Sequence, residues 1–246
     1  MRLAAVAGTT FWHFIKLLLA SRRVANNSTE QARRTQAWAR DLCRVAGIRI
    51  QFAEGTPPPP GTVLVSNHRS YADIFVLAAA TPVVFLAKKE IESWPVFGIA
   101  ARRAGTVFVD RSSRQSGADA LRVLGDRLRG GATIVVFPEG TTIGGPGIGP
   151  FRTGSFRLAA AEKVPLVPVA LEFERPEDAW TDPDDSSFVT HFLNKFSRRE
   201  VWVRLKFGPV MQGDDPETLK RAAEAWIGAN LEAPRAEVSD TQTVAA

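Results

Sequence analysis

Short apolar segments alternate with helix-like stretches over most of the chain, and this alternation limits the possible folds. The apolar segments lie at residues 48–53, 62–66, 83–87, 106–109, 133–137, 164–171 and 201–207. The helix-like stretches lie at 72–80, 96–104, 116–129, 156–163 and 216–231. Strands without a regular polar face are typical of a parallel sheet that is covered on both sides. The sequence therefore predicts an α/β domain with a largely parallel central sheet, and a hydrophobic content of 45% is enough to bury it.

The N-terminal part of the chain carries most of the positive charge. Residues 1–50 contain nine Lys or Arg and only two acidic residues, Glu30 and Asp41, whereas the whole chain has a net charge of +5. A basic N-terminus of this kind is typical of a segment that contacts anionic lipid or nucleic acid, or that serves in targeting.

The apolar stretch at 3–20 favours the lipid interpretation. His13 and Lys16 interrupt it, so its length is marginal for a membrane span, and it lacks the cleavage site of a signal peptide. Its aromatic residues and the following Arg22 and Arg23 are typical of a helix that lies in the head-group region. A membrane span and a buried core helix are the alternatives. Because the excess charge adjoins this stretch, we expect no nucleic acid partner.

The chain divides into three parts on this basis. A second helix is predicted at 28–46, where Gly47 ends it, and its arginines form either a solvated face or a face toward acidic lipids. Residues 1–47 are thus predicted to be a membrane-associating helical pair. Residues 48–233 form the α/β domain, with surface loops at 55–61 and 174–187, and 234–246 form a disordered tail.

Cysteine and histidine usage gives further limits. Cys43 is the only cysteine, so no intramolecular disulfide is possible and a cytosol-facing location is the default expectation. The three histidines and the carboxylates have no spacing that suggests a metal site, so we predict none.

His68 and Asp73 follow the strand predicted at 62–66. Five positions apart on one helix, they would point about 140° away from each other. They meet only if His68 lies in the loop and Asp73 in the first turn of the next helix, with Ser70 as the N-cap. A His and a carboxylate in contact suggest general base catalysis. Alternatively, Ser70 and Asp73 form a capping box and nothing more.

Two further strands end in polar residues. Arg111 follows the strand at 106–109, and Glu139 and Gly140 follow the strand at 133–137. Ligands of open α/β sheets bind at the carboxyl ends of parallel strands. These residues are therefore predicted to share one edge of the sheet with His68.

These segments resemble the motifs of the glycerolipid acyltransferase family, which includes the 1-acylglycerol-3-phosphate (lysophosphatidic acid) acyltransferases. The similarity runs from about residue 63 to 171, and the matching segments are 67–73, 105–111, 137–141 and 164–169, in the family's order. Residues 88–98 also look like the family's segment between its first two motifs. The resemblance implies a glycerol-3-phosphate acyltransferase-like fold.

The resemblance also implies roles for individual residues. His68 would deprotonate the acceptor hydroxyl while Asp73 fixes its tautomer, in the manner of a catalytic triad. A covalent route through Ser66 or Ser70 is an alternative without the usual nucleophile elbow. The residues implied in substrate binding are Arg111, Glu139, Gly140 and Thr141, with Lys88 and Arg152 as candidates for phosphate or carrier contacts.

Physical reasoning modifies some of these roles. Glu139 is expected to orient Arg111 or to accept a hydrogen bond from a glycerol hydroxyl, because a carboxylate repels a phosphate. Backbone amides near Gly140 are expected at the developing oxyanion. Lys88 and Arg152 would otherwise be ordinary solvated charges.

One position departs from the family pattern. Thr142 stands where many phosphatidate-forming members have Arg, and the glycine-rich stretch 143–150 follows it. The expected reaction is transfer from acyl-CoA or acyl carrier protein to 1-acyl-sn-glycerol-3-phosphate, which gives phosphatidic acid. The alternatives are another lysolipid acceptor (lyso-ornithine lipid or lysophosphatidylcholine) and a non-catalytic lipid-binding protein. We expect no cofactor beyond the acyl donor and a location on the cytoplasmic face of the inner or plasma membrane, and the oligomeric state stays open.

Overall fold

A seven-stranded sheet forms the centre of the molecule. The computed structural model describes residues 2–19, 27–52, 55, 57–93, 97–179 and 200–231. The strands are β1 (Ile48–Phe52), β2 (Val63–Ser66), β3 (Val84–Lys88), β4 (Val107–Val109), β5 (Ile134–Val136), β6 (Leu166–Phe173) and β7 (Val201–Phe207). Their order is β1-β7-β6-β2-β5-β3-β4, and only the β6–β7 pair is antiparallel. The predicted α/β fold with a largely parallel sheet is confirmed.

Helices precede the sheet and connect its strands. They are α1 (Arg2–Leu18), α2 (Ser28–Ala46), α3 (Ala72–Ala80), α4 (Phe97–Arg103), α5 (Arg114–Arg129), α6 (Gly154–Glu162) and α7 (Pro216–Asn230). Short 3-10 helices cover Lys89–Ser93 and Pro176–Asp178. The predicted bounds of α2, α3 and β7 are exact, and most others are off by one or two residues. For example, α5 begins two residues before the predicted start because the Ser113 hydroxyl caps it by accepting from the Ser116 amide.

The helices cover both faces of the sheet. Helices α2 and α3 pack on one face, where Leu77 is fully buried. Helices α5, α6 and α7 pack on the other face, around the buried ring of Phe156. Because both faces are covered, the central strands β2 and β5 have no solvent-exposed side, which explains their continuous apolar sequences.

The connections create a crevice between β2 and β5. After β2 the chain passes through α3 on one face, and after the neighbouring strand β5 it passes through α6 on the opposite face. Where two adjacent parallel strands send their chains to opposite faces, the loops separate and leave room for a ligand. The segments that begin at His68 and at Glu139 lie at this point.

The N-terminal helices pack against each other. His13 Nε2 lies 3.0 Å from Asp41 Oδ2, and the indole of Trp38 donates to the Thr10 hydroxyl at 3.5 Å. Phe11 and Trp12 remain 66% and 58% exposed on α1. Within the described ranges, no helix combines the length and apolarity required to cross a membrane.

The arginines of α2 have mixed surroundings. Arg34 pairs with Glu30, and Arg44 pairs with Asp41. The Arg40 guanidinium donates to the Ala79 carbonyl near the end of α3, at 3.0 Å. Arg40, one arginine of the predicted basic face, therefore connects α2 to α3.

The remaining sequence features are Cys43 and the segments that lie outside the described residues. Cys43 is buried in the core, and burial raises the pKa of its thiol to about 12. Most of the loop predicted at 174–187 and the tail predicted at 234–246 lie outside the described residues, as do residues 94–96 of the family-like segment 88–98.

Candidate active site

The structure brings His68 and Asp73 together, as the sequence predicts. His68 lies in the loop after β2, and its Nδ1 is 2.7 Å from Asp73 Oδ2 in the first turn of α3. The same Asp73 oxygen accepts the backbone amides of Arg69 at 2.6 Å and Ser70 at 2.9 Å. Asp73 is fully buried, so these donors replace the water that an ionised carboxylate would otherwise need.

The helix start differs by one residue from the expectation. Tyr71, in helical conformation, precedes α3, so Ser70 does not occupy the predicted N-cap position. Ser70 still accepts the Ala72 amide through its hydroxyl at 3.3 Å. Asp73 thus closes the helix start and contacts the imidazole at once, so the capping and catalytic interpretations are compatible.

The backbone of His68 is held on both sides. Its amide donates to Glu139 Oε2 at 2.6 Å, and its carbonyl accepts the Ile143 amide at 2.8 Å. The imidazole stacks on Phe137, with ring centroids 4.0 Å apart. Because Nδ1 is engaged with Asp73, Nε2 is the nitrogen that can act on a substrate.

Glu139 lies inside the site. Its second oxygen, Oε1, accepts the Gly149 amide at 2.8 Å. Burial raises the pKa of this carboxyl group, against the opposing effect of the two backbone hydrogen bonds and of the nearby charges of Arg69 and His68. The hydrogen bonds described for Glu139 thus join the His68 segment to the glycine-rich stretch.

Arg111 and Arg152 flank Gly140. The Arg111 guanidinium donates to the Gly140 carbonyl, and a Cβ at Gly140 would lie 3.1 Å from Arg152 Nε. Partial burial and the positive charge of Arg152 lower the pKa of Arg111, which nevertheless stays protonated at neutral pH. Two neighbouring guanidinium groups suit a phosphate or carboxylate. The Gly140 amide donates to the Phe137 carbonyl, so it is not free for an oxyanion.

Lys88 and Thr141 are the two remaining residues that were predicted to bind substrate. Lys88 ends β3 opposite Val109 and is exposed at the same edge of the sheet. Thr141 is exposed beside Gly140. Neither has a described contact with the His68–Asp73 pair.

Two residues of the site were not identified from the sequence. The Asn67 side-chain amide donates to the Leu171 carbonyl at 2.8 Å and accepts the Leu171 amide at 2.9 Å. Arg69 is buried and donates to carbonyls of the glycine-rich stretch. The sequence does show that Asn67 and Arg69 are polar residues directly beside His68 in a buried segment. Their partners could not be identified from it, because they lie more than 70 positions away along the chain.

The arrangement can remove a proton from a hydroxyl beside a bound anion. A neutral imidazole can accept this proton, and a buried carboxylate stabilises the resulting imidazolium. In the described part of the chain, no group of three or more His, Cys, Asp or Glu side chains could hold a metal ion.

Comparison with family models and known proteins gives a consistent result. A model described as Acyltransferase matches residues 47–172. The lyso-ornithine lipid O-acyltransferase of Brucella abortus (strain 2308) is 33% identical over 218 residues, which cover 78% of this chain and 79% of the relative. The lyso-ornithine lipid O-acyltransferase of Rhizobium meliloti (strain 1021) is 32% identical, covering 72% of this chain and 66% of the relative.

Another similar protein carries a different name. The 1-acyl-sn-glycerol-3-phosphate acyltransferase of Neisseria meningitidis serogroup B is 31% identical, covering 75% of this chain and 76% of the relative. Among solved structures, the 1-acyl-sn-glycerophosphate (LPA) acyltransferase PlsC of Thermotoga maritima superposes with a TM-score of 0.61 at 20% identity, covering 93% of this chain and 95% of that one. This likeness shows a shared fold.

Proposed function

The chain belongs to the acyltransferase family, and we propose that it transfers a fatty acyl group from a thioester to the free hydroxyl of a lysolipid whose head group carries a phosphate or a carboxylate. The observation that carries this proposal is the 2.7 Å contact between His68 Nδ1 and Asp73 Oδ2, beside the guanidinium groups of Arg111 and Arg152. It supplies a base and an anion subsite at one edge of the sheet.

His68 Nε2 takes the proton of the acceptor hydroxyl as its oxygen attacks the thioester carbonyl carbon. Asp73, ionised and buried, stabilises the imidazolium. The tetrahedral intermediate then collapses, the carbon–sulfur bond breaks, and the departing thiolate takes the proton from the imidazolium. The products are an ester and a free thiol. The protein needs neither a metal nor a prosthetic group for this sequence, since the thioester is already activated.

The first candidate acceptor is 1-acyl-sn-glycerol-3-phosphate, with acyl-CoA or acyl carrier protein as the donor. Arg111 and Arg152 support it, because two adjacent guanidinium groups match a phosphate monoester in charge and geometry. The product would be phosphatidic acid, a phospholipid precursor. Lys88 and Thr141, exposed at the same edge, would contact the outer part of a substrate.

Lyso-ornithine lipid is the second candidate acceptor. Two similar proteins, from Brucella abortus and Rhizobium meliloti, carry that activity in their names. Thr142 supports it as well, because it replaces the Arg of many phosphatidate-forming members and so leaves one positive charge fewer. A carboxylate needs less counter-charge than a phosphate dianion.

Product identification by mass spectrometry tests the proposal. The full-length protein is incubated with one acyl-CoA and, separately, with lysophosphatidic acid, lyso-ornithine lipid and lysophosphatidylcholine. We expect a diacylated product from lysophosphatidic acid or from lyso-ornithine lipid, and none with the His68→Ala variant. Release of free fatty acid without any acylated lipid would instead indicate a thioesterase, and lipid binding without turnover would indicate a non-catalytic protein.

Arg111→Ala tests the head-group assignment. The variant loses a charge-assisted contact worth about 1.5–3 kcal/mol, so we expect the apparent KM for the acceptor to rise roughly 10- to 100-fold while kcat changes less. Arg122→Ala, which removes an exposed arginine from the outer side of α5, is the matched control. An unchanged KM in the Arg111 variant would remove this residue from head-group binding.

We also propose that the protein works at a membrane surface, on the cytoplasmic face of the inner or plasma membrane. The exposed Phe11 and Trp12 on α1 and the basic N-terminal region support a helix that lies on the lipid surface. Both the lysolipid and its diacylated product reside there.

A further inference from the structure

Arg69, the residue after His68, makes an unusual set of contacts. It is only 6% exposed. Its guanidinium donates to the carbonyls of Ile143 at 3.0 Å, Gly145 at 2.9 Å and Gly147 at 2.7 Å. A buried guanidinium requires such acceptors, because its charge has lost the surrounding water. Three carbonyls from one short segment therefore surround this cation.

The contacted segment, residues 143–149, is called the glycine-rich loop below. Gly145 and Gly147 have φ angles of 76° and 79°, in the left-handed region that favours glycine. These conformations let the carbonyls of every second residue turn toward one guanidinium, while Gly144–Gly147 remain exposed on the other side. The glycines thus serve the contact with Arg69.

The glycine-rich loop is also tied to His68 at two further points. The Ile143 amide donates to the His68 carbonyl at 2.8 Å. The Gly149 amide donates to Glu139, whose other oxygen accepts the His68 amide. Both ends of the glycine-rich loop are therefore connected to the His68 segment, one directly and the other through Glu139.

The residues that flank the loop belong to the proposed head-group site. Gly140 precedes it and accepts from Arg111, and Arg152 follows it, with its amide bonded to the Pro138 carbonyl at 2.9 Å. Because the loop joins these two segments, a displacement of it would act on both sides of the proposed head-group site, while Asp73 would keep its own contacts with His68.

We propose that Arg69 is a positioning residue for acceptor selection, which holds the glycine-rich loop as one wall of the acceptor site. This role rests on the proposed acyl transfer. It differs from catalysis, because Arg69 acts through the loop and not on the reacting atoms. The preference of the protein among lysolipids then depends on the contact between Arg69 and the glycine-rich loop, although the acceptor does not touch Arg69.

Three variants test this role. Arg69→Met removes all three donors, and Arg69→Lys keeps the charge but lacks the planar fork that reaches several carbonyls. Gly147→Ala strains the loop at a left-handed φ and leaves the guanidinium intact. Arg127→Met is the matched control, since this half-buried arginine bonds the Ser28 hydroxyl away from the site.

Two measurements are made on each full-length variant. Hydrogen–deuterium exchange of the peptide spanning 140–152 reports on the loop without any substrate. We expect its amides to exchange on the order of tenfold faster in Arg69→Met and Gly147→Ala, with a smaller change in Arg69→Lys, because the loop opens more often. Kinetics with lysophosphatidic acid and lyso-ornithine lipid should show a roughly tenfold higher acceptor KM, a smaller change in kcat and an altered ratio of kcat/KM between the acceptors.

Several results would overturn the proposal. Unchanged exchange of the loop in Arg69→Met and Gly147→Ala would mean that Arg69 does not hold it. Equal loss of kcat for every acceptor with KM unchanged would assign Arg69 to the His68–Asp73 pair instead. If the wild-type protein acylates no lysolipid, the proposed function fails and the selection role with it, while the exchange data still decide whether Arg69 anchors the loop.

Discussion

Asp73 combines three hydrogen bonds on one carboxylate oxygen. Oδ2 receives the imidazole of His68 and two backbone amides, while Oδ1 is buried and, among the described residues, has no hydrogen-bond partner. The two amides fix the carboxylate, and the carboxylate in turn fixes the ring. Loss of its charge should therefore affect the imidazolium more than the fold.

Asp73→Asn and His68→Ala test this pair. An Asn carbonyl can still accept the same donors, so we expect the fold to survive, but the neutral amide no longer stabilises an imidazolium. We expect kcat to fall on the order of 10²–10⁴-fold in both variants. Steady-state kinetics and circular dichroism measure the two effects. Near-normal turnover of Asp73→Asn would leave Asp73 with its capping role alone.

Glu139 gives a prediction for pH dependence. Its pKa is raised in the folded state, so the native protein binds this proton more tightly than the unfolded chain, whose Glu has a pKa of about 4.3. The stability that this group contributes is therefore fully present when the pH is below about 4.3. It is lost as the pH rises through the raised pKa of the folded state.

Urea unfolding of the wild type and Glu139→Gln between about pH 4 and 7 measures the effect. The free energy of unfolding of the wild type should fall relative to that of the variant over this window, because Gln does not titrate. A pH-independent difference between the two proteins would contradict the raised pKa.

The sequence revealed more about some site residues than about others. His68 and Asp73 were predicted to meet because both lie near one strand end, so a local argument was enough. The contacts of Glu139 with Gly149 and of Arg69 with the glycine-rich loop were not predicted. They depend on how β2 and β5 are paired, and the sequence does not show which distant groups Arg69 contacts.

At the scale of elements, α7 shows how a helix start depends on one side chain. Asp215 accepts the amides of Glu217 and Thr218, with Pro216 in the first turn. Asp214 directly precedes Asp215 in the sequence, and the structure shows that the second of these two carboxylates is the cap. The strands were easier to predict, because apolar β-branched runs bounded by turns are a local signal.

Asp215→Ala should lower the free energy of unfolding by about 1 kcal/mol, because two helix amides lose their acceptor. The hydrogen bonds described for α7 reach Phe151 and Thr153 but not the His68 loop, so acyl transfer should change much less than stability. Asp214→Ala is the matched control and should be close to neutral. Equal losses in the two variants would indicate a charge effect at the helix terminus rather than a cap.

At the scale of the whole molecule, the order of the strands was not predictable from the sequence. Local patterns identify β2, β3 and β5, but they do not show that β5 inserts between the other two. That insertion places the Glu139 segment beside His68. The site therefore depends on the tertiary path of the chain as much as on its motifs.

Membrane attachment through α1 is a prediction at this scale. The double variant Phe11→Ser, Trp12→Ser should bind liposomes that contain acidic lipids at least tenfold more weakly, because each exposed aromatic side chain that enters the interface contributes about 1.5–3 kcal/mol. Co-sedimentation measures the binding. Phe52→Ser, which removes an equally exposed aromatic side chain at the end of β1, should bind like the wild type, and equal binding by all three proteins would exclude attachment through α1.

The side chain of Asn67 has a consequence for how the enzyme begins a reaction. By pairing with both backbone groups of Leu171, it continues the β2–β6 ladder one residue past the last backbone pairing of β2. The His68 imidazole therefore follows directly after a residue whose side chain is hydrogen-bonded to the sheet. The proposed base is thus held against Asp73 by the protein itself, so the incoming lipid does not have to organise this pair.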